Sequence, residues 1–237
     1  RLYASSIMSN QSLPPSKRNN TVADFLAKVD RMPAKREASD HRLILSLDAT
    51  ASREPTWDQA CYLQSQLFEV LAPDEQLSIQ LCFYRGFREL KHSAFCQTSH
   101  ELHRLMQAVR CVGGHTQIKR LLQHGLAVHK KTPLKGLIFI GDAIEESVDD
   151  LCHLAGECGL RQLPIFLFQE GSDPGVRRCF ESMAKLSNGA YAAFDLQHIN
   201  ELRDAFRGIA TYATQGKSGL AKLIRHNPGA SALLEQL

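Results

Sequence analysis

The stretch that decides the fold is residues 43–52, which read LILSLDATAS. Its first five residues form a nearly continuous apolar run, which is typical of a strand buried on both faces of a parallel sheet. Asp48 follows at once, and Thr50 and Ser52 come after it at alternate positions. The stretch therefore predicts a buried strand that ends in a loop bearing one carboxylate and two hydroxyl groups.

Apolar runs alternate with amphipathic segments along the rest of the chain. Further strands are predicted at residues 77–83, 84–92, 137–140, 164–168 and 189–194. Helices are predicted at residues 57–71, 118–128, 147–157 and 199–213, and after the start signals at Thr98 and at Asp173-Pro174. This alternation predicts an α/β fold, a doubly wound and mostly parallel six-stranded sheet with helices on both faces.

The predicted α/β domain covers residues 41–214. Residues 1–40 are mostly polar or charged and include two adjacent prolines, so they predict a flexible extension with a short helix at 21–29. Residues 215–237 are predicted to form a mobile tail. The sequence begins with Arg1, and Met8 is a candidate natural start.

Composition narrows the class of protein. The 237 residues are 43% hydrophobic and 22% charged, which is an ordinary globular mixture. Lys plus Arg total 28 against 25 for Asp plus Glu, a surplus too small to favour nucleic-acid binding. No apolar run reaches the roughly 18 residues of a membrane helix. The seven cysteines form no C-x-x-C pair, so we expect small buried thiols and a cytoplasmic location.

Oxygen-bearing side chains follow three predicted elements. Asp48, Thr50 and Ser52 end the first strand, Asp142 ends the strand at 137–140, and Thr116 follows a double glycine before a helix. Ligands of doubly wound sheets bind at the carboxyl ends of strands, near the point where strand order reverses. Two carboxylates and three hydroxyls are hard oxygen donors that suit Mg²⁺, with Mn²⁺ or Ca²⁺ as alternatives.

This order of residues resembles the metal-ion-dependent adhesion site of von Willebrand factor A domains, in particular of the bacterial intracellular type. The family pattern is D-x-S-x-S, a distant Thr and a later Asp. Thr50 stands where the family has its first Ser, Ala51 where it has Gly, and Arg53 at a position that is usually small or apolar. The resemblance covers about residues 43–213.

The resemblance implies a structure and a function. The Asp48 strand would lie beside the Asp142 strand, hydroxyls would approach the metal, and the two carboxylates would often act through water. An open metal position would accept an Asp or Glu of a protein partner. The implied function is a metal-ion-dependent interaction module, an intracellular adaptor in complexes with ATPases or chaperones. It would not be an enzyme and would have no nucleic-acid or membrane partner, and its oligomeric state is left open.

Two functions of other classes remain open. One is a metal-dependent phosphoester hydrolase, for which His115 and Glu54 are the candidate bases. The other is a metal-free scaffold, in which Asp48 forms an ordinary turn while Asp142 and Thr116 cap helices.

Four further features have simpler alternatives. Trp57, which begins the first predicted helix, is expected in the core but could lie at the rim of the binding face. Arg53 with Glu54 could select the incoming ligand or pair within the loop. Glu145 and Glu146 are expected to form a solvated helix start. His100-x-x-His103 is a weak zinc hypothesis that needs a third ligand.

Overall fold

The computed structural model describes residues 41–69, 76–194 and 199–226, so the predicted extension at 1–40 lies outside the described residues. The strands are β1 His41–Asp48, β2 Leu77–Arg85, β3 Glu89–Cys96, β4 Gly136–Gly141, β5 Ile165–Glu170 and β6 Ala190–Phe194. The helices are α1 Trp57–Leu63, α2 Gln66–Glu69, α3 Ser99–Gln107, α4 Ile118–Lys131, α5 Val148–Leu160, α6 Pro174–Ser187 and α7 Ile199–His226.

The six strands form one sheet in the order β3-β2-β1-β4-β5-β6. Every neighbouring pair is parallel except β2 and β3, which form an antiparallel hairpin. The chain builds outward from β1 to β3 and then returns to the other side of β1 with β4. The predicted α/β class is therefore confirmed. The strand order reverses between β1, which ends in Asp48, and β4, which Asp142 follows.

Alternate residues of β1 pack into two cores, one on each face of the sheet. Leu43, Leu45 and Leu47 belong to a cluster with residues of α1, α3 and α7. Ile44 belongs to the opposite cluster, with residues of α4, α5 and α6. Because both faces are covered, the apolar run of β1 is continuous rather than alternating, as a buried parallel strand requires.

Two predicted helix starts are confirmed by their hydrogen bonds. Thr98 accepts the Glu101 N–H at 3.2 Å, and Glu101 Oε2 accepts the Gln97 N–H at 3.1 Å. Asp173 Oδ1 accepts two N–H groups at the start of α6, where Pro174 is the first helical residue.

Two predicted helices differ from those observed. The prediction at 57–71 is interrupted at residues 64–65, where the Ser65 hydroxyl bonds the Tyr62 carbonyl at 3.0 Å and competes with the helix backbone. The last predicted helix continues beyond residue 213 to His226, with a non-helical backbone at Gly216, whose φ is +67°. No helix in the described residues combines the length and apolarity needed to cross a lipid bilayer.

Candidate functional site

Asp48 is the buried centre of the candidate site. It ends β1 and has no solvent exposure. Its Oδ1 accepts the Thr50 N–H at 2.8 Å, and its Oδ2 accepts the Tyr84 hydroxyl at 3.0 Å. Burial raises the pKa of this carboxyl, while the hydrogen bonds from Thr50 oppose that shift. Both oxygens are therefore held in fixed directions by the chain's own donors.

The two hydroxyl groups that follow Asp48 in the sequence, those of Thr50 and Ser52, contact each other. Thr50 Oγ1 lies 3.1 Å from Ser52 Oγ. Thr50 is nearly buried and Ser52 is exposed. The bond from the Thr50 N–H to Asp48 turns the chain, and a short 3-10 helix over Ala51–Thr56 follows. This tight turn lets residues two apart point the same way.

Asp142 follows β4, next to the end of β1. Leu47 pairs with Ile140 in the sheet, so Asp142 lies one residue beyond the level of Asp48. The two carboxylates are close enough that Asp142 also raises the pKa of Asp48. Asp142 Oδ1 is buried and accepts no hydrogen bond from the described residues. A buried acceptor without a donor is costly, and a cation bound beside it would remove that cost.

Thr116 is tied to the loop that follows β4. Its hydroxyl accepts the Glu145 N–H at 2.9 Å, and its own N–H donates to Glu145 Oε2 at 2.8 Å. His115 Nδ1 lies 3.2 Å from the same carboxylate oxygen. The Thr116 N–H, and then His115, lower the pKa of Glu145. The structure therefore brings Thr116 to the same edge of the sheet as Asp142, through Glu145.

Glu146 caps the helix that Thr116 was considered to cap. Its carboxylate accepts the Ile118 N–H at 2.6 Å and the Lys119 N–H at 2.9 Å. A carboxylate at this position satisfies donors at the start of α4 and complements the helix dipole. Glu145 is exposed, as expected for a solvated helix start, and Glu146 is half-buried, but both side chains also join two loops that lie far apart in sequence.

A close contact between two glycines holds the Thr116 loop against the sheet. The His115 N–H donates to the Gly86 carbonyl at 3.3 Å, and a Cβ on Gly114 would lie 2.1 Å from the same oxygen. The Val112 N–H donates to the Ala49 carbonyl at 3.0 Å. Gly114 is therefore needed for packing against Gly86 in the β2–β3 turn, whereas a Cβ at Gly113 would meet nothing within 4 Å.

An exposed aromatic residue lies at this contact. Phe87 follows Gly86 in the β2–β3 turn, is 77% exposed and contacts the His115 ring at 5.2 Å between centroids. Val112 is also exposed, at 44%. These two residues place apolar surface on the β2–β3 turn and on the loop that carries Thr116.

Arg53 is the largest fully buried side chain whose place the sequence left undecided. It is 1% exposed and forms an ion pair with Glu170 at the end of β5. Burial lowers the pKa of its guanidinium, and the carboxylates of Asp142 and Asp48 act in the opposite direction. Sequence reasoning missed Glu170. The one signal that could have found it is an Arg at a normally apolar position, which requires a buried counter-charge.

Two other candidates have structural roles or lack partners. Trp57 is buried and donates its indole N–H to the Met106 carbonyl at 3.1 Å, so it belongs to the core. His103 Nδ1 lies 3.4 Å from the Cys61 carbonyl. No group of three His, Cys, Asp or Glu side chains among the described residues could hold a metal, which leaves the zinc hypothesis at His100 and His103 without a third such ligand there.

The donor set at the strand ends fits a hard divalent cation. It combines two carboxylates with neighbouring hydroxyls, and one buried carboxylate oxygen lacks a donor in the described chain. Hydroxyl oxygens differ from the thiol and imidazole ligands of softer metals, but they are hard donors that suit Mg²⁺ and similar ions.

Comparison with known proteins gives results at the level of fold. No family model matches the chain, and no curated protein matches it. Among solved structures, an aerotolerance-related membrane protein from Bacteroides fragilis, with multiple mutations to serines, superimposes with a TM-score of 0.57 at 15% identity. That match covers 72% of this chain and 98% of the other.

Two larger proteins contain a similar domain. The human COPII-coat protein Sec24c matches with a TM-score of 0.58 at 12% identity, over 73% of this chain and 32% of that one. Proximal thread matrix protein 1 from the mussel byssus, with a zinc-occupied metal-ion-dependent adhesion site, matches with a TM-score of 0.57 at 10% identity. It covers 74% of this chain and 46% of the other. The strand order of the sheet and these structural matches together show that this chain has a von Willebrand factor A-like fold.

Proposed function

We propose that this chain is a metal-ion-dependent protein-recognition module that holds Mg²⁺ at the carboxyl ends of β1 and β4. The observation that carries the proposal is the buried Asp142 Oδ1, which accepts no hydrogen bond from the described residues at the edge where Asp48 ends β1. The proposed ligands are Asp48, Thr50, Ser52, Thr116 and Asp142.

The mixture of ligands suits recognition rather than a structural metal. Neutral hydroxyls leave a divalent cation under-neutralised, so the ion retains affinity for one more anionic ligand. A partner's Asp or Glu carboxylate can supply it. The Thr116 hydroxyl already accepts the Glu145 N–H, and its second lone pair remains able to coordinate.

The surface around the site favours a protein as the partner. Phe87 is 77% exposed and Val112 is 44% exposed, on loops joined by the hydrogen bond from the Gly86 N–H to the Val112 carbonyl at 3.3 Å. Exposed aromatic residues are enriched at protein interfaces. A partner could therefore place an acidic side chain on the metal and an apolar one against Phe87. An adaptor role in the cytoplasm, beside an ATPase or chaperone, is the finer part of the proposal.

Calorimetric titration with Mg²⁺ and Mn²⁺ tests the site. We expect saturable binding that Asp142→Asn and Ser52→Ala each weaken by about tenfold or more, since each removes a hard oxygen ligand. Asp150→Asn is the matched control, because Asp150 is an exposed carboxylate on α5 that pairs with Lys119. No binding to the wild-type chain, alone or with an acidic peptide, or equal loss in the control, would contradict the metal site.

A peptide experiment tests the partner. Acidic peptides would be compared with copies in which each Glu is replaced by Gln, in Mg²⁺ and in chelator. We expect peptide binding to require both the carboxylate and the metal. Phe87→Ala should weaken this binding. The hydrolase alternative stays a prediction, and phosphatase turnover lost in His115→Ala would favour it over recognition.

A further inference from the structure

The Arg53 side chain crosses three neighbouring strand ends. Strand β4 lies between β1 and β5, and Gly141 of β4 pairs with Gln169 of β5. Asp142 and Glu170 directly follow this pair, so they lie at the ends of two adjacent strands. Arg53 starts in the loop after β1, yet it pairs with Glu170, so its side chain passes the end of β4, where Asp142 lies.

The Arg53 side chain is shielded from solvent and lies near several negative charges. The side chain is 1% exposed and that of Glu170 is 17% exposed. A fully buried arginine requires nearby counter-charges because desolvation of an unpaired guanidinium is very costly. Asp142 and Asp48 both act on the Arg53 charge in the stabilising direction.

We propose that Arg53 is a built-in cation of the candidate site, a positioning residue that holds the Asp48 and Asp142 carboxylates in place without a metal and weakens the binding of a divalent cation to them. The inference rests on the site of the proposed function and concerns its regulation. Two carboxylates near each other repel, and a buried positive charge beside them relieves that repulsion. The same charge repels an incoming metal ion, because electrostatic forces are strong in a buried environment.

Two consequences follow for the natural chain. It folds and keeps its site loops in place when no metal is bound. Metal binding is weak until a partner supplies a further carboxylate, so metal and partner bind cooperatively. The chain therefore responds to the partner rather than to the metal concentration alone.

The double variant Arg53→Met/Glu170→Gln tests the inference, because it removes both charges of the buried pair and keeps the side-chain volumes similar. By Mn²⁺ calorimetry we expect a dissociation constant lower than that of the wild type by about tenfold or more, since the removed positive charge passes the end of β4, where Asp142 lies, while the removed negative charge lies one strand farther away, at the end of β5. In thermal unfolding, we expect the midpoint of the variant to rise with Mn²⁺ over chelator far more than that of the wild type.

Three further variants make the result specific. Arg53→Lys retains the charge and should bind Mn²⁺ as the wild type does. Arg53→Gln removes the charge but keeps polar atoms, and it serves if the double variant does not fold. Arg161→Met/Glu157→Gln removes an exposed pair at the other end of α5, with a 2.8 Å separation, and should change nothing.

Each outcome decides between the inference and the proposed function. Equal affinity in the wild type and in the charge-removed variants overturns the role of Arg53 and leaves the metal site standing. Binding in the variants but not in the wild type, with or without an acidic peptide, supports the role of Arg53 and contradicts metal-dependent recognition by the natural chain. Folded variants that bind no metal overturn both.

Discussion

The candidate site has two halves that are held in different ways. The Asp48 half, residues 48–53, is buried at both ends, with Asp48 0% and Arg53 1% exposed. The Thr116 half, residues 112–117 with Glu145 and Glu146, carries more exposed side chains: His115 is 65% and Glu145 is 47% exposed, while Thr116 itself is buried. The first half is held by burial and charge at the strand ends, and the second by hydrogen bonds between loops. We therefore expect changes in the first half to affect stability more.

Asp48→Ala should have the largest effect on stability. It removes the acceptor of the Tyr84 hydroxyl and of the Thr50 N–H, and it removes a carboxylate near buried Arg53. We expect the free energy of unfolding to fall by about 3 kcal/mol, because buried partners are left unsatisfied. Urea unfolding in chelator measures it, with Asp150→Ala as the surface control. A loss no larger than that of the control would remove the distinction between the halves.

Gly114→Ala compares a tight contact with an open one in the same loop. A Cβ at Gly114 would lie 2.1 Å from the Gly86 carbonyl oxygen, whereas one at Gly113 would meet nothing within 4 Å. We expect Gly114→Ala to cost about 1–3 kcal/mol of unfolding free energy, through strain that moves backbone. Gly113→Ala should cost nothing or stabilise slightly. Similar thermal midpoints for the two variants would show that the loop does not pack tightly against Gly86.

Glu146→Gln tests how the Thr116 half is anchored. The carboxylate accepts the Ile118 and Lys119 N–H groups at the start of α4, so its loss should cost about 1 kcal/mol. Glu145→Gln should cost less, since that side chain is more exposed. Denaturant unfolding at low and high salt measures both. A larger loss for Glu145→Gln would show that the link to Thr116, rather than the helix cap, anchors the loop.

The pH dependence of the two halves should have opposite signs. The pKa of Glu145 lies below its ordinary value of 4.5, so its stabilising contribution is present above that value and is lost as pH falls through the lower folded pKa. The pKa of Asp48 lies above its ordinary value of 3.8, so its ionised form costs stability at neutral pH, and that cost is relieved as pH falls. Carboxyl NMR titration in chelator measures both, and shifts of the same sign would contradict the comparison.

Much of the fold was predictable because its signals are local. The apolar run of β1 can be buried on two faces only in a covered parallel sheet, and the alternation of strands and helices leaves few other arrangements. The helix starts at Thr98 and Asp173 were predictable for the same reason, since a cap depends on residues within three positions. The predicted helix boundaries were wrong where a competing hydrogen bond, such as that of the Ser65 hydroxyl, interrupts an otherwise helical pattern.

The contacts between distant loops were not predictable from local patterns. Glu146 looked like part of the acidic start of α5, but its carboxylate caps α4, 28 residues earlier in the chain. Glu145 joins Thr116 in the same way over 29 residues. Such contacts depend on which loops the sheet brings together, and nothing in the spacing of the residues specifies that.

The sequence by itself determined the six-stranded α/β sheet and placed Asp48, Thr50, Ser52 and Asp142 at strand ends, because apolar periodicity sets where strands begin and end. Only the tertiary structure decided that Arg53 lies buried and reaches Glu170 past Asp142. The physical reason is that burial of a charge depends on counter-charges from other strands, and strand order brings those together across more than a hundred residues of chain.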